Sequence, residues 1–127
     1  MKILITGNMG YVGPAVVRTF RDAYPEATLI GYDLGLYAHC LTGTKELPER
    51  LLDYQIFADV QNLDPTILLG IDAVIYLAAI SNDAMGDIEE SFTLNTNYHA
   101  AVRWAKAAKE NGVSKLLSIK LEDYIKK

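Results

Sequence analysis

Three glycines spaced three residues apart, Gly7, Gly10 and Gly13, sit between an apolar run and an amphipathic one, and this constrains the fold most. The run Ile3-Leu4-Ile5 is short, rich in β-branched residues and stopped by Thr6-Gly7, as in a strand buried on both faces of a parallel sheet. Beyond the glycines, Val12, Val16, Val17, Phe20 and Tyr24 follow at intervals of four, one, three and four, which is one face of a helix. Pro14 suits a first helical turn, where a missing N–H costs nothing, and Pro25 marks the stop. Between a strand and a helix, G-x-x-G-x-x-G has a physical use. The first glycine allows a sharp turn, the second a close backbone approach to a pyrophosphate, and the third close packing of helix and sheet. Free N–H groups and the positive end of the helix dipole then attract phosphate. The competing reading is a tight strand-to-helix turn and nothing more.

Asp33 bears on that choice. It stands 20 residues after Gly13, where a second strand, Thr28 to Tyr32, comes to an end. A carboxylate there accepts hydrogen bonds from ribose hydroxyls and repels a 2′-phosphate, so the pattern favours NAD over NADP. Otherwise Asp33 is a solvated loop acid.

The rest of the chain repeats the alternation. Gln55 to Ala58 reads as a third strand and Ala73 to Leu77 as a fourth, with a helical turn opened by Asp64-Pro65 between them. Leu34 to Tyr54 is weakly patterned, with a short helix expected around Pro48 to Leu52. A long helix is expected from Glu89 to Asn111, with Leu94, Tyr98, Ala101, Ala105 and Ala108 on one face and Gly112 just past its end. Lys115 to Ile119 is a fifth strand. Strands alternating with helices imply right-handed crossovers, hence a doubly wound parallel α/β sheet, a Rossmann fold, in the order 3-2-1-4-5. The chain of 127 residues is read as one such domain over residues 1–119, followed by a tail, residues 120–127.

Composition excludes several roles. Twelve basic residues against sixteen acidic ones, with no basic cluster, leave nucleic acid without an electrostatic footing. The single cysteine, Cys40, supports neither a disulfide nor a cysteine-based metal site, and is read as a packing thiol. His39 and His99 have no carboxylate at the spacing of a triad or a metal site. No apolar run is long enough for a leader or a membrane span, and the expectation is a cytoplasmic protein.

The segments ILITGNMGYVGPAVV, LIGYDL, FADVQNLD, DAVIYLAAISND and LNTNYHAAVRWAKAAKENGVSKLL span about residues 3 to 117. Together they resemble the extended short-chain dehydrogenase/reductases, the NAD-dependent epimerases and dehydratases that act mostly on nucleotide sugars. That resemblance implies NAD as cofactor, with Gly7, Gly10 and Gly13 along the pyrophosphate and the N–H groups of Tyr11 and Val12 facing phosphate. It implies Asp33 at the adenine ribose and Asp59 and Val60 beside the adenine. Leu77, Ala78 and Ala79 match the family's L-A-A at the end of the fourth strand, where small residues leave room for the cofactor. Ser81-Asn82-Asp83 follows where substrate loops begin, and Asn95 matches a family asparagine in the long helix. Plainer readings stand beside these: Asp59 as a turn cap, Ala78 and Ala79 as packing, Asn95 as a solvent-facing helix residue. Tyr98 and Trp104 read as packing residues.

The family's chemistry needs a Ser or Thr and a Tyr-x-x-x-Lys after the fifth strand. Here the chain continues Lys120-Leu121-Glu122-Asp123, and Ser118 falls too early, inside the strand. Tyr124 and Lys127 are spaced one residue too short to share a helix face. The expectation is therefore the cofactor half alone, truncated after the fifth strand and lacking the catalytic half. The fifth strand would then be a bare edge inviting a homodimer or another chain. Three roles remain open: part of a nucleotide-sugar enzyme, a non-catalytic NAD(H)-binding or redox-sensing module, and an inactive remnant.

Overall fold

Five strands align side by side in a computed structural model that describes residues 1–37, 48–80 and 94–118. The strands are β1 (Lys2–Thr6), β2 (Thr28–Asp33), β3 (Tyr54–Phe57), β4 (Ala73–Tyr76) and β5 (Lys115–Ser118). All neighbours are parallel, in the expected order β3-β2-β1-β4-β5. Register places Ile5 between Gly31 of β2 and Ile75 of β4. Central β1 is buried from Ile3 to Thr6, which explains why it reads as a continuous apolar run.

Alternation along β1 feeds two cores. Ile3 and Ile5 join Leu29, Ile75 and Val17 of helix α1 (Gly13–Ala23) on one face. Leu4 joins Val74, Tyr76, Leu68 and Trp104 on the other, under helix α2 (Ala101–Glu110). A sheet covered on both faces by crossover helices is the doubly wound arrangement. Trp104 is wholly buried, packs edge-on against Tyr32 at 5.0 Å and donates its indole N–H to the Val60 carbonyl at 2.9 Å. Its volume and satisfied N–H make it the anchor of the second core.

Some boundaries and faces differ from the expectation. β3 starts at Tyr54 and ends at Phe57, and β4 ends at Tyr76, each one residue earlier than expected. Pro65–Leu68 is a 3₁₀ turn capped by Asp64, whose carboxylate accepts the Thr66 N–H at 3.0 Å. Pro48–Leu51 is likewise 3₁₀. Val12 and Tyr24 flank α1 and are about half exposed, so its buried stripe is Val17 with half-buried Val16 and Phe20. The largest difference lies ahead of α2. Residues Asn95–Ala100 form π-helical turns that run straight into it. The wider turns bring Thr96, Asn97, Ala100 and Ala101 inward and leave Leu94 and Tyr98 outward, so the regular 3.6-residue face expected there is displaced. Trp104, Ala107 and Ala108 complete the buried face. Gly112 follows the helix with φ +76°, as expected for its position. His39, Cys40, Ser81 to Asp83, the Glu89 end of the long helix, Ile119, Tyr124 and Lys127 lie outside the described residues. Among the described residues no helix is long and apolar enough to cross a membrane, and no cluster of His, Cys, Asp and Glu could hold a metal ion.

Candidate functional site

The carboxyl ends of β1, β2 and β4 open onto a cleft of about 400 Å³. A crevice outside the strand ends, where crossovers leave toward opposite faces, is where open α/β sheets take ligands. Gly7 turns the chain out of β1 with φ +69°. A Cβ on Gly7 would stand 2.7 Å from the Ala78 N, so the site excludes a side chain twice over, by conformation and by space. Gly10 N–H donates to the Gly7 carbonyl at 3.1 Å, closing the turn. The third glycine has a different neighbour from the one expected. A Cβ on Gly13 would strike the backbone of Asn8, so Gly13 lets α1 start against its own turn rather than against the sheet.

Helix α1 begins with no side-chain cap at Val12 and no acidic residue in its first turn. Its first N–H groups and the positive end of its dipole therefore remain available at the cleft. Tyr11 beside them is fully exposed. Across the cleft stands Asp33, the last residue of β2. Its carboxylate accepts the Met9 N–H at 3.0 Å and the Gly35 N–H at 2.7 Å. Each oxygen keeps a lone pair, so a ribose hydroxyl can still be accepted.

The third wall is the turn after β3. Asp59 caps the Val60–Asn62 turn, its carboxylate accepting the Gln61 N–H at 2.8 Å, which is the plainer of its two readings; it also lines the cleft. This wall is held from below. Tyr32 donates its hydroxyl to the Asp59 carbonyl at 3.2 Å, Trp104 binds the Val60 carbonyl, and Gln61 Nε2 donates to the Thr96 hydroxyl at 2.9 Å. Burial, with Asp59 and Asp64 nearby, pushes the Tyr32 phenol above its ordinary range. Burial does the same for Tyr76, whose hydroxyl donates to the Thr96 carbonyl at 3.2 Å.

The floor is the segment after β4. Leu77, Ala78 and Ala79 line the cleft. Thr6, completely buried, accepts the Leu77 and Ala78 N–H groups on its hydroxyl at 3.2 and 3.3 Å. Asn97 pairs with the backbone of Ile80 in both directions, accepting its N–H at 2.7 Å and donating to its carbonyl at 2.8 Å.

Of the twelve residues singled out from the sequence, Gly7, Gly10, Tyr11, Val12, Gly13, Asp33, Asp59, Val60, Leu77, Ala78 and Ala79 all border this cleft. Asn95 does not: it faces outward, and Asn97 is the asparagine that the π-helical turns bring inside. Sequence reasoning also passed over Thr6, Asn8, Tyr32 and Thr96. Thr6 and Asn8 had a usable signal, being polar residues set beside the apolar Ile3-Leu4-Ile5 run and Met9.

The sequence matches the model of the NAD dependent epimerase/dehydratase family over residues 3–120. The chain belongs to that family. Epimerase/dehydratase relatives recur among solved structures. An ADP-L-glycero-D-manno-heptose-6-epimerase from Helicobacter pylori is 28% identical, with a TM-score of 0.69 over 92% of this chain. A short-chain dehydrogenase/reductase superfamily protein from Agrobacterium tumefaciens with bound NAD is 24% identical, with a TM-score of 0.70 over 93% of this chain. A UDP-N-acetylglucosamine 4-epimerase from Methanobrevibacter ruminantium is 22% identical, with a TM-score of 0.69 over 91%. The present chain spans 38%, 32% and 36% of those three proteins respectively, about a third of an epimerase/dehydratase chain. Among curated proteins none matches the sequence.

Proposed function

We propose that this chain holds NAD(H) in the cleft at the carboxyl ends of β1, β2 and β4, and forms the cofactor half of a nucleotide-sugar epimerase or dehydratase. The uncapped N-terminus of α1, reached through a turn that admits no side chain at Gly7, carries the reading. Pyrophosphate belongs there, on the N–H groups of Tyr11, Val12 and Gly13. The adenosine ribose belongs at Asp33, whose charge disfavours a 2′-phosphate, and the adenine along Asp59 and Val60. Leu77, Ala78 and Ala79 leave the remaining length of the cleft open toward the nicotinamide. The bound nicotinamide would supply hydride acceptance and return. This chain's own part is to bind, to orient and to exclude water, with Thr6 and Asn97 holding the 77–80 backbone in place.

Ser118 at the end of β5 borders the cleft, but the Tyr-x-x-x-Lys spacing of the family's chemistry does not occur in this sequence, and a span of about a third of its relatives supports its being supplied from outside it. A nucleotide sugar is the substrate class of the whole assembly. Strand β5 is the outer strand of the described sheet and Leu117 on it is 58% exposed, an edge that further polypeptide, a partner or a second copy can join. Sedimentation velocity tests that association.

Calorimetry with NADH is the direct test of the cofactor reading. Saturable binding is expected, with a rise in melting temperature and no turnover of UDP-glucose by the isolated chain. A folded protein that gives no heat and no thermal shift removes the cofactor reading. Steady turnover by this chain alone removes the assignment of catalysis to residues elsewhere.

A further inference from the structure

Asn8 follows the first glycine of the turn and is almost wholly buried. A polar side chain in such a place must find its partners inside the protein. It finds them on β3, forty-seven residues away in sequence. Asn8 Nδ2 donates to Gln55 Oε1 at 2.6 Å, and Gln55 Nε2 returns a bond to Asn8 Oδ1 at 3.3 Å. Gln55 is itself steadied by a bond from Nε2 to the Ile56 carbonyl at 3.1 Å. The two amides meet across β2, directly over Gly31, which pairs in register with Gln55. A Cβ on Gly31 would collide with Gln55 Oε1 and approach Asn8 Nδ2 to 2.7 Å. A strand interior ordinarily disfavours glycine, so its presence at the one point where the amides cross is a structural requirement.

Asn8 is held on its other side as well. Its backbone lies where a Cβ on Gly13 would stand, so the start of α1 rests on it. One residue thus links the helix terminus to the third strand. We propose that Gln55 is a positioning residue for the phosphate-binding turn: through Asn8, and across Gly31, it fixes the height and tilt of the Gly7–Gly13 backbone. This rests on the NAD(H) reading of the cleft. Gln55 itself does not line the cleft. Its effect falls mainly on the diphosphate; the nucleoside, whose walls are Asp33 and the Asp59–Val60 turn, is reached only through the Met9 N–H bond to Asp33.

The test compares ADP with adenosine, titrated against the unaltered protein and Gln55→Leu by NMR. Loss of one or two hydrogen bonds should weaken ADP by about three- to tenfold while adenosine changes by less than about twofold. Gln55→Glu keeps the acceptor for Asn8 Nδ2 but removes both donated bonds, so it should fall between the two and serves if the leucine variant does not fold. Gly31→Ala should reproduce the selective loss by driving the amides apart. Amide hydrogen exchange on the free protein gives a ligand-independent readout: protection at Gly7, Met9 and Gly10 should drop in Gln55→Leu and hold at Ile3 to Ile5. Equal loss of ADP and adenosine, or unchanged exchange at the turn, overturns the proposal. Failure of the unaltered protein to bind ADP removes the NAD(H) reading, and the exchange experiment still decides whether Gln55 braces the turn.

Discussion

The two ends of the sheet are built to opposite rules. At the amino ends of the strands, backbone groups are tied off by side chains. Asp72, just ahead of β4, accepts the Lys2 N–H of β1 at 2.7 Å, and Asp53, just ahead of β3, accepts the Leu29 N–H of β2 at 2.7 Å. The same device thus appears twice. Arg21 closes the rest, donating to the carbonyls of Leu51, Pro25 and Ala27 and to the Asp53 carboxylate at 2.8 to 3.0 Å. At the carboxyl ends, α1 starts uncapped, Tyr11 is fully exposed, and Leu34 and Leu36 are about half exposed beside the cleft. Yet the open end is not loose. Asn8, Asp33, Thr6, Asn97 and Trp104 fix its backbone from beneath while leaving its upper surface free. Hydrogen-bonding capacity is saturated where the fold needs closure and withheld where a ligand can use it.

Two substitutions separate those rules most sharply. Gly7→Ala should have the largest effect, because at Gly7 folding and binding cannot be parted, and conformation and space both exclude a side chain. An unfavourable φ and overlap with the Leu77–Ala78 backbone together should cost about 3 kcal/mol or more. The expected outcome is a protein that melts far lower and gives no NADH signal in calorimetry; a stable Gly7→Ala protein with unchanged NADH affinity would mean that the turn adapts freely. Arg21→Ala acts only at the closed end. Removing a guanidinium that satisfies three carbonyls and a carboxylate should cost about 2 kcal/mol, seen as a fall of about 6–10 °C in melting temperature. NADH affinity, measured below that melting temperature, should stay within about twofold. A matching loss of affinity would show that the two ends are coupled.

Much of this division was legible in the sequence, and what was not has physical causes. The glycine turn, the strand order and Asp33 follow from spacing, because only a strand-turn-helix unit places those residues together. The face of the segment before α2 does not follow, since π-helical turns alter the period on which a helical face is read. That is why Asn95 was singled out in place of Asn97. The role of Gly13 depends on the path of Asn8, and the Asn8–Gln55 pair on strand register; neither is a local property. The two aspartates of the closed end look like ordinary loop acids until β2 and β1 are placed beside them.

Asp33 sharpens the comparison within the open end. It holds Met9 and Gly35 in the free protein, and in the proposed complex it also meets the ribose. Asp33→Ala should weaken NAD by about tenfold, the worth of charge-assisted hydrogen bonds to hydroxyls. NADP should lose less, because removing the carboxylate also removes its repulsion of the 2′-phosphate. The part of the loss common to both cofactors measures the support Asp33 gives to Met9, and the difference combines its contact with the ribose hydroxyls and the repulsion of the 2′-phosphate that the substitution relieves. Equal losses would take Asp33 away from the ribose and leave it only as a support.

The smallest effect is one of pH, and it belongs to the closed end. The Leu29 N–H, followed by Arg21, holds the Asp53 carboxyl below its ordinary value of 3.8. A group whose folded value is depressed contributes its full stability above the unfolded value and loses it as pH falls through the folded one. Asp53 is partly exposed, so the contribution is screened, and it should also shrink as salt is added. Melting temperature measured from pH 5 down toward pH 3 should therefore fall less steeply in Asp53→Asn than in the unaltered protein, with the two curves converging at the acid end. Parallel curves would mean that the Leu29 N–H and Arg21 serve Asp53 equally well when it is protonated. The closed end would then owe its stability to shape and hydrogen bonding rather than to charge.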